Sequence, residues 1–272
     1  MGGSMSMIGN SVQRHPWVVT RSVWYAMFLR EAIARTMSDR LGWFWMVAEP
    51  VFFTLIMVAI RSLIRGDALI VGAPFIPWMV VGLMGFFLVR EGMIRGLGAI
   101  KANQALFAYR QVRPVDPVLV RNALEGLLRS LIFLLFIFGG MLLKVEALAP
   151  DDALLALAWW LSLWLLGLAL GLIVSVLATL IAEVAIVLRM MIMPLLILSG
   201  VIFPIHHMPH WMREYLLLNP IVHGLERLRG GFFEGYWQVP GTSAPYYWMV
   251  TLALLSLGLM LHLRFRHRLM AQ

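Results

Sequence analysis

Of the chain's 272 residues, 61% are hydrophobic and 13% charged, with a mean hydropathy of +0.84. That is more apolar surface than a soluble domain of this length can bury. The balance of 22 Lys+Arg against 14 Asp+Glu, +8 overall, would suggest nucleic acid on a soluble chain, but in a membrane chain it marks cytoplasmic loops. The absence of cysteine excludes disulfides and thiolate metal sites. No G-x-x-x-x-G-K-[ST] run is present, which excludes ATP binding through such a loop.

The opening Met1–Ser6 reads as an expression scar with a second start at Met5, inside an N-terminal tail over 1–23, and no cleavable signal peptide is expected. Over 24–42, polar Arg30/Glu31, Ala34/Arg35 and Ser38/Asp39 alternate with Phe28/Leu29, Ala32/Ile33 and Thr36/Met37. This predicts an amphipathic helix lying in the membrane interface, with one wet and one greasy face. A first span is expected over about 43–63, with Trp43 and Trp45 as interfacial anchors and Arg61 and Arg65 at its far end. A second covers 68–89, entered through Pro74 and Pro77 and stopped by Arg90 and Glu91.

The basic loop from Arg90 to Arg121 holds an amphipathic helix over about 102–113, its face formed by Ala102, Ala105, Leu106, Tyr109 and Val112. Arg113-Pro114 breaks it, and Asp116-Pro117 reads as N-cap and first-turn proline of a third span over 118–143. At the root of that span Arg121, Glu125 and Arg129 stack at helical spacing as a salt-bridged ladder. Lys144–Asp152 is a short acidic turn. The fourth span, 153–182, contains no Asp, Glu, Lys or Arg and exceeds the roughly 20 residues a bilayer core requires. The fifth, 184–203, follows Glu183 and carries Arg189. In 206–237 two apolar patches, Trp211–Leu218 and Ile221–Leu228, are too short to cross and are separated by Asn219-Pro220. They predict a re-entrant helical hairpin, whose backbone must be satisfied by protein or a wet cavity. The last span, 246–263, closes on Arg264, Arg266, His267 and Arg268.

The expected fold is therefore an all-α polytopic membrane protein with six transmembrane helices and both termini on one side. Most basic residues fall on that side, against Arg61, Arg65, Lys144, Arg213, Arg227 and Arg229 on the other, which makes it the cytoplasm.

This order of parts resembles the permease subunits of type-2 ABC exporters, and most of all those that export capsular polysaccharide. The resemblance covers 24–268 as a single transmembrane domain. It rests on L-R-E-A-I-A-R at Leu29–Arg35, L-G-W-F-W-M-V-A-E-P at Leu41–Pro50, N-Q-A-L-F at Asn103–Phe107 and R-P-V at Arg113–Val115. It continues with S-G-V-I-F-P at Ser199–Pro204, M-P at Met208-Pro209 and N-P-I-V-H-G-L-E-R-L-R-G-G-F-F at Asn219–Phe233. The family implies a homodimer in a bacterial inner membrane, bound to two copies of a separate ABC ATPase that carry the ATP and Mg. It also implies a periplasmic adaptor and an outer-membrane conduit, with the hairpin as docking surface. No cofactor or metal is expected on this chain, and no nucleic acid partner.

An ATPase outside the membrane needs rigid contacts through which its closure moves the spans. The cytoplasmic helix is the candidate for that coupling, through Asn103, Phe107, Tyr109, Arg110 and Arg113, together with Arg35 on the interfacial helix. Aromatic rings pack on the C–H face of sugars, so Phe52, Phe53, Phe86 and Phe87 are candidate channel-lining residues, set against the plainer fate of facing lipid or neighbouring helices. Arginine's planar fork suits anionic cargo, which adds Arg61, Arg90 and Arg189; a charge at mid-bilayer costs roughly 2.5–3.5 kcal/mol, so Arg189 faces a partner carboxylate or the pore, or snorkels to the cytoplasmic surface. Trp211, Tyr215, His223, Glu226, Arg227 and Arg229 are candidates for a periplasmic gate, with Glu226, Arg227 and Arg229 read either as gate or as a fixed ion-pair network, and His223 as a packing or hydrogen-bonding residue. His206, His207 and His210 lack an acid at ligating spacing.

The expected function is export of an acidic, lipid-anchored capsular polysaccharide, with no catalysis by this chain. A same-fold exporter of O-antigen, lipid or drug is the nearest rival. An intramembrane enzyme using the histidines and Glu226 is the rival from another class, weakened by the lack of paired catalytic carboxylates or a nucleophile.

Overall fold

The computed structural model describes residues 16–37, 42–64, 72–143 and 148–271, with side chains at 16, 36, 37, 42, 43, 46, 58 and 61–64 left aside. The described chain is built of helices: α1 (Pro16–Met37), α2 (Gly42–Ile64), α3 (Phe75–Leu97), α4 (Asp116–Leu142), α5 (Ala153–Leu180), α6 (Glu183–Leu198), α7 (His210–Leu216), α8 (Pro220–Phe232), α9 (Ala244–Arg264) and α10 (Arg266–Ala271). A 3-10 helix over Lys101–Ala108 joins α3 to α4, and a shorter one over Ile205–His207 precedes α7.

Among the described residues four helices, α3, α4, α5 and α9, are long and apolar enough to cross a membrane. In α2 the stretch Val47–Met57 is apolar as well. The α6 helix runs 16 residues and stops at Leu198 rather than Phe203. The Ser199 hydroxyl turns back to the Leu195 carbonyl at 2.6 Å and Gly200 takes φ +67°, a left-handed turn that reverses the chain.

Side-chain caps set three of the helix starts. The α5 helix is capped by the Asp152 carboxylate accepting the Leu155 N–H at 2.9 Å, α8 by Asn219 accepting the Ile221 N–H at 3.0 Å ahead of Pro220, and α9 by Ser243. The expected α4 cap differs. The N-cap is Val115, and Asp116 sits in the first turn with its carboxylate facing away from the helix end, toward Trp24 and the Arg113 N–H. The α3 helix also departs from expectation by continuing through Arg90 and Glu91 to Leu97, because those charges find lateral partners.

The α5 helix stands at the centre, packed on α3, α4, α6, α8, α9 and α10. Its closest approach is to α3, where Gly92 and Gly96 meet Gly167 and Gly171: a Cβ on Gly96 would lie 2.5 Å from the Gly171 carbonyl oxygen. Facing pairs of glycines four residues apart let two backbones touch where lipid offers no hydrophobic drive for association. The main buried cluster includes Trp78, Phe86, Phe87, Phe133, Trp160 and Phe232, with Phe133 stacked on Trp160 at 4.5 Å between ring centroids.

Candidate coupling interface and polar networks

Part of the polar face of α1 is turned to the protein, through Trp24, Arg30, Glu31 and Arg35. Trp24 Nε1–H donates to Asp116 Oδ1 at 2.9 Å, and Arg30 Nη2 donates to Asn103 Oδ1. Glu31 pairs with Arg121 and Arg35 with Glu125, each at 2.8 Å. Burial lowers the Arg35 guanidinium below its ordinary value, and the Glu125 carboxylate opposes that. The flank carrying Val18, Tyr25, Leu29 and Ile33 is exposed. Four side-chain contacts therefore fasten α1 to the root of α4 and to the 3-10 helix, so that these three elements form one mechanical piece.

Asn103 is the pivot of that piece. It is 2% exposed, and its Nδ2 donates to the Ala99 carbonyl at 2.8 Å while its Oδ1 takes Arg30. Phe107 and Val112 are buried beside Ile100, Val118 and Leu172. The inward face is thus Asn103, Phe107 and Val112, whereas Ala102, Ala105 and Tyr109 are exposed and Leu106 is half-buried. The expected face fails here because the segment winds at three residues per turn over Lys101–Ala108 and then unwinds through a turn, so a period of 3.6 mislabels it.

Beside the glycine seam lies a layer of paired charge, buried at Glu91, Glu125 and Arg129. Arg90 grips Glu49 with two hydrogen bonds, 2.6 and 2.9 Å, reaches Glu91 at 2.7 Å and lies 4.3 Å over the Phe87 ring. Arg129, 2% exposed, pairs with Glu91 at 3.2 Å; Arg95 pairs with Glu125 at 2.9 Å, the same carboxylate that holds Arg35. Arg121, Glu125 and Arg129 do not form a ladder along α4. Each bonds outward, to α1, to α1 and α3, and to α3 respectively. Four helices are thereby tied through Arg35, Glu49, Arg90, Glu91, Arg95, Glu125 and Arg129.

A second network is built around α8. Glu226 and Arg229, 2% and 1% exposed, pair at 3.0 Å. Glu226 also accepts from the Tyr236 hydroxyl at 3.1 Å and from the Val239 N–H at 3.1 Å, and the Tyr236 hydroxyl accepts Trp78 Nε1–H at 3.1 Å. Arg229 donates to the Gly200 carbonyl at 3.0 Å and lies 3.7 Å over the Trp78 ring. Gly82 leaves room for it, since a Cβ there would sit 2.2 Å from Nη2. His223 bridges two chain turns: its Nδ1 accepts the Ser243 N–H at 2.9 Å, so its Nε2 carries the proton and donates to the Leu217 carbonyl at 2.7 Å. Burial lowers its pKa and keeps that neutral tautomer.

Of the residues singled out from sequence, Tyr109, Arg110 and Arg113 are exposed, while Arg35, Asn103 and Phe107 point inward and hold the exposed ones in place. Phe52 and Arg189 are exposed, and Phe53 packs half-buried against the core. Phe86 and Phe87 are packed inside the helices and Arg90 is in the charge layer; the Arg61 side chain falls outside the described residues. Trp211 and Tyr215 are exposed, Arg227 is half-buried, and His223, Glu226 and Arg229 are buried. The three histidines part ways: His206 meets Tyr236 edge-on and His210 lies 3.4 Å from Glu214. From sequence Glu91 reads only as the stop of a span, and Glu49 and Arg95 are not singled out, although charges beside apolar runs are signal enough.

Several apolar helices able to cross a bilayer, with ion pairs between them, define a multi-pass membrane protein. The comparison with known families agrees: residues 22–233 match the ABC-2 type transporter, and the chain belongs to that family. It is 33% identical over 237 residues to the polysialic acid transport protein KpsM of Escherichia coli, covering 87% of this chain and 91% of that one. It is 30% identical over 237 residues to the capsule polysaccharide export inner-membrane protein BexB of Haemophilus influenzae, covering 87% and 88%. With CtrC of Neisseria meningitidis, another capsule polysaccharide export inner-membrane protein, it shares 28% over 252 residues, covering 91% and 92%.

Proposed function

We propose that this chain is the inner-membrane permease subunit of an ATP-driven exporter that moves capsular polysaccharide from cytoplasm to periplasm. The observation that carries this reading is similarity along nearly the whole length to capsule-export membrane proteins. In the proposed arrangement α2, α3, α4, α5, α6 and α9 are six spans, both termini are cytoplasmic, α1 lies in the inner interface, and α7 and α8 form a re-entrant periplasmic hairpin. Two copies of the chain assemble with two copies of an ABC ATPase, which bind the ATP and Mg. A periplasmic adaptor and an outer-membrane conduit continue the path beyond the hairpin.

Closure of the ATPases would press on the exposed Tyr109, Arg110 and Arg113. Because Asn103 ties the 3-10 helix to α1, and α1 is paired with α4, the push travels through Glu125, Arg95, Glu91 and Arg90 to Glu49 on α2. The channel would be lined by Phe52, Phe53, Arg61 and Arg189, weak and repeated contacts along which an acidic polymer slides, with Phe86, Phe87 and Arg90 supporting that wall from behind. The network of Glu226, Arg229 and Tyr236 gives the hairpin a rigid base, and Trp211, Tyr215 and Arg227 lie at the periplasmic gate above it. Deleting the gene in its host tests the reading: capsular polysaccharide should accumulate inside the cell and return to the surface on complementation. Normal surface capsule in the deletion strain would refute it.

A further inference from the structure

Between α1 and the α4–α5 pair lies a cleft of about 890 Å³, toward the upper end of the roughly 300–1,000 Å³ usual for ligand sites. Its walls are aromatic: Trp17, Trp24, Tyr25 and Phe28 from one face of α1, and Trp164 from α5. The indole N–H groups of Trp24 and Trp164 are already spent on Asp116 and on the Asn122 carbonyl. They turn ring surface toward the cleft, which is open on the α1 side. The charged group on its lining is Arg21, exposed and without an ion pair or hydrogen bond among the described residues. The cleft continues into the exposed apolar face of α1.

We propose that this cleft is a binding site for an anionic phospholipid, with an acyl chain against the aromatic rings and the headgroup phosphate on Arg21. A long apolar body with one negative end matches the long apolar cleft with one free cation, and a bilayer supplies such molecules in excess. The lipid fills the space between α1 and the spans and keeps α1 seated beside the contacts that Trp24, Arg30, Glu31 and Arg35 make with Asp116, Asn103, Arg121 and Glu125. The inference rests on α1 lying at the membrane interface and is independent of which polymer is exported.

The test is native mass spectrometry of the full chain, co-purified with whatever ATPase accompanies it, stripped of lipid and titrated with phosphatidylglycerol or phosphatidylcholine of the same acyl chains. The first phosphatidylglycerol should bind about fivefold more tightly than phosphatidylcholine, the fold-change equal to roughly 1 kcal/mol for one basic residue meeting an anionic headgroup. Arg21→Ala, at an exposed position with no partner to lose, should bring the ratio near one without weakening phosphatidylcholine. Ala123→Trp, which fills the cleft, should remove the tight first lipid altogether. Unchanged selectivity in Arg21→Ala overturns the proposal, as does displacement of the lipid by inorganic phosphate. Finding a lipid-linked glycan or the residues before Pro16 in the cleft also overturns it. Presence or absence of the ATPase in the same spectra reports on the exporter reading separately.

Discussion

Replacing Glu226 with alanine removes one acceptor from three donors at once. Arg229 loses its 3.0 Å partner, the Tyr236 hydroxyl its 3.1 Å acceptor and the Val239 N–H its 3.1 Å acceptor, all in a region where Glu226 is 2% and Arg229 1% exposed. Breaking a buried pair from one side costs about 3–5 kcal/mol, since the remaining charge is stranded. With about 2–4 °C per kcal/mol for a chain of this size, thermal unfolding in detergent should fall by roughly 10 °C. Arg229→Met in the same chain removes the stranded cation, fills the slot beside Trp78 and Gly82, and should return more than half of the loss. A Glu226→Ala melting temperature within about 2 °C of the parent, or a double variant no better than the single, would refute the view that this network is a fixed base.

Other outcomes follow from the same contacts. Glu125→Ala removes the shared carboxylate from Arg35 and Arg95 and should cut surface capsule severalfold, while Tyr109→Ala, at an exposed position, should leave the melting temperature unchanged and lower ATP-driven export; both are read by surface-capsule immunoassay with parallel melts. Gly96→Leu drives a side chain into the Gly171 backbone and should abolish accumulation of folded protein, measured as the monodisperse fraction in detergent. His223 has a folded pKa held below its unfolded value, so the unfolded chain takes up the proton first as pH falls. Its contribution is full above about pH 6.5 and is lost as pH drops below that, and His223→Gln should flatten the melting temperature between about pH 7 and 5.

Sequence periodicity reports which face of a helix is polar, not what that face meets. The uncharged run over 153–182 announced α5, and Asn219-Pro220 marked the break between α7 and α8. The alternation in α1 was legible too, yet its polar face looked wet when part of it is paired to Asp116, Asn103, Arg121 and Glu125. Arg121, Glu125 and Arg129 looked like partners because helical spacing puts them side by side, and low dielectric between helices favours the across-helix acids and bases instead. The Gly92/Gly96 and Gly167/Gly171 spacings stood in the sequence as plain signals, but only the fold shows that they face each other. The 3-10 winding of Lys101–Ala108 left no periodic trace in eight residues.

The central claim is that this chain is the membrane half of a two-component exporter. Gentle-detergent purification from the native membrane, with intact-mass measurement of the complex, tests it most directly. Two copies of this chain with two of an ABC ATPase are expected. A chain that purifies alone, with no ATPase at any stoichiometry, would contradict it.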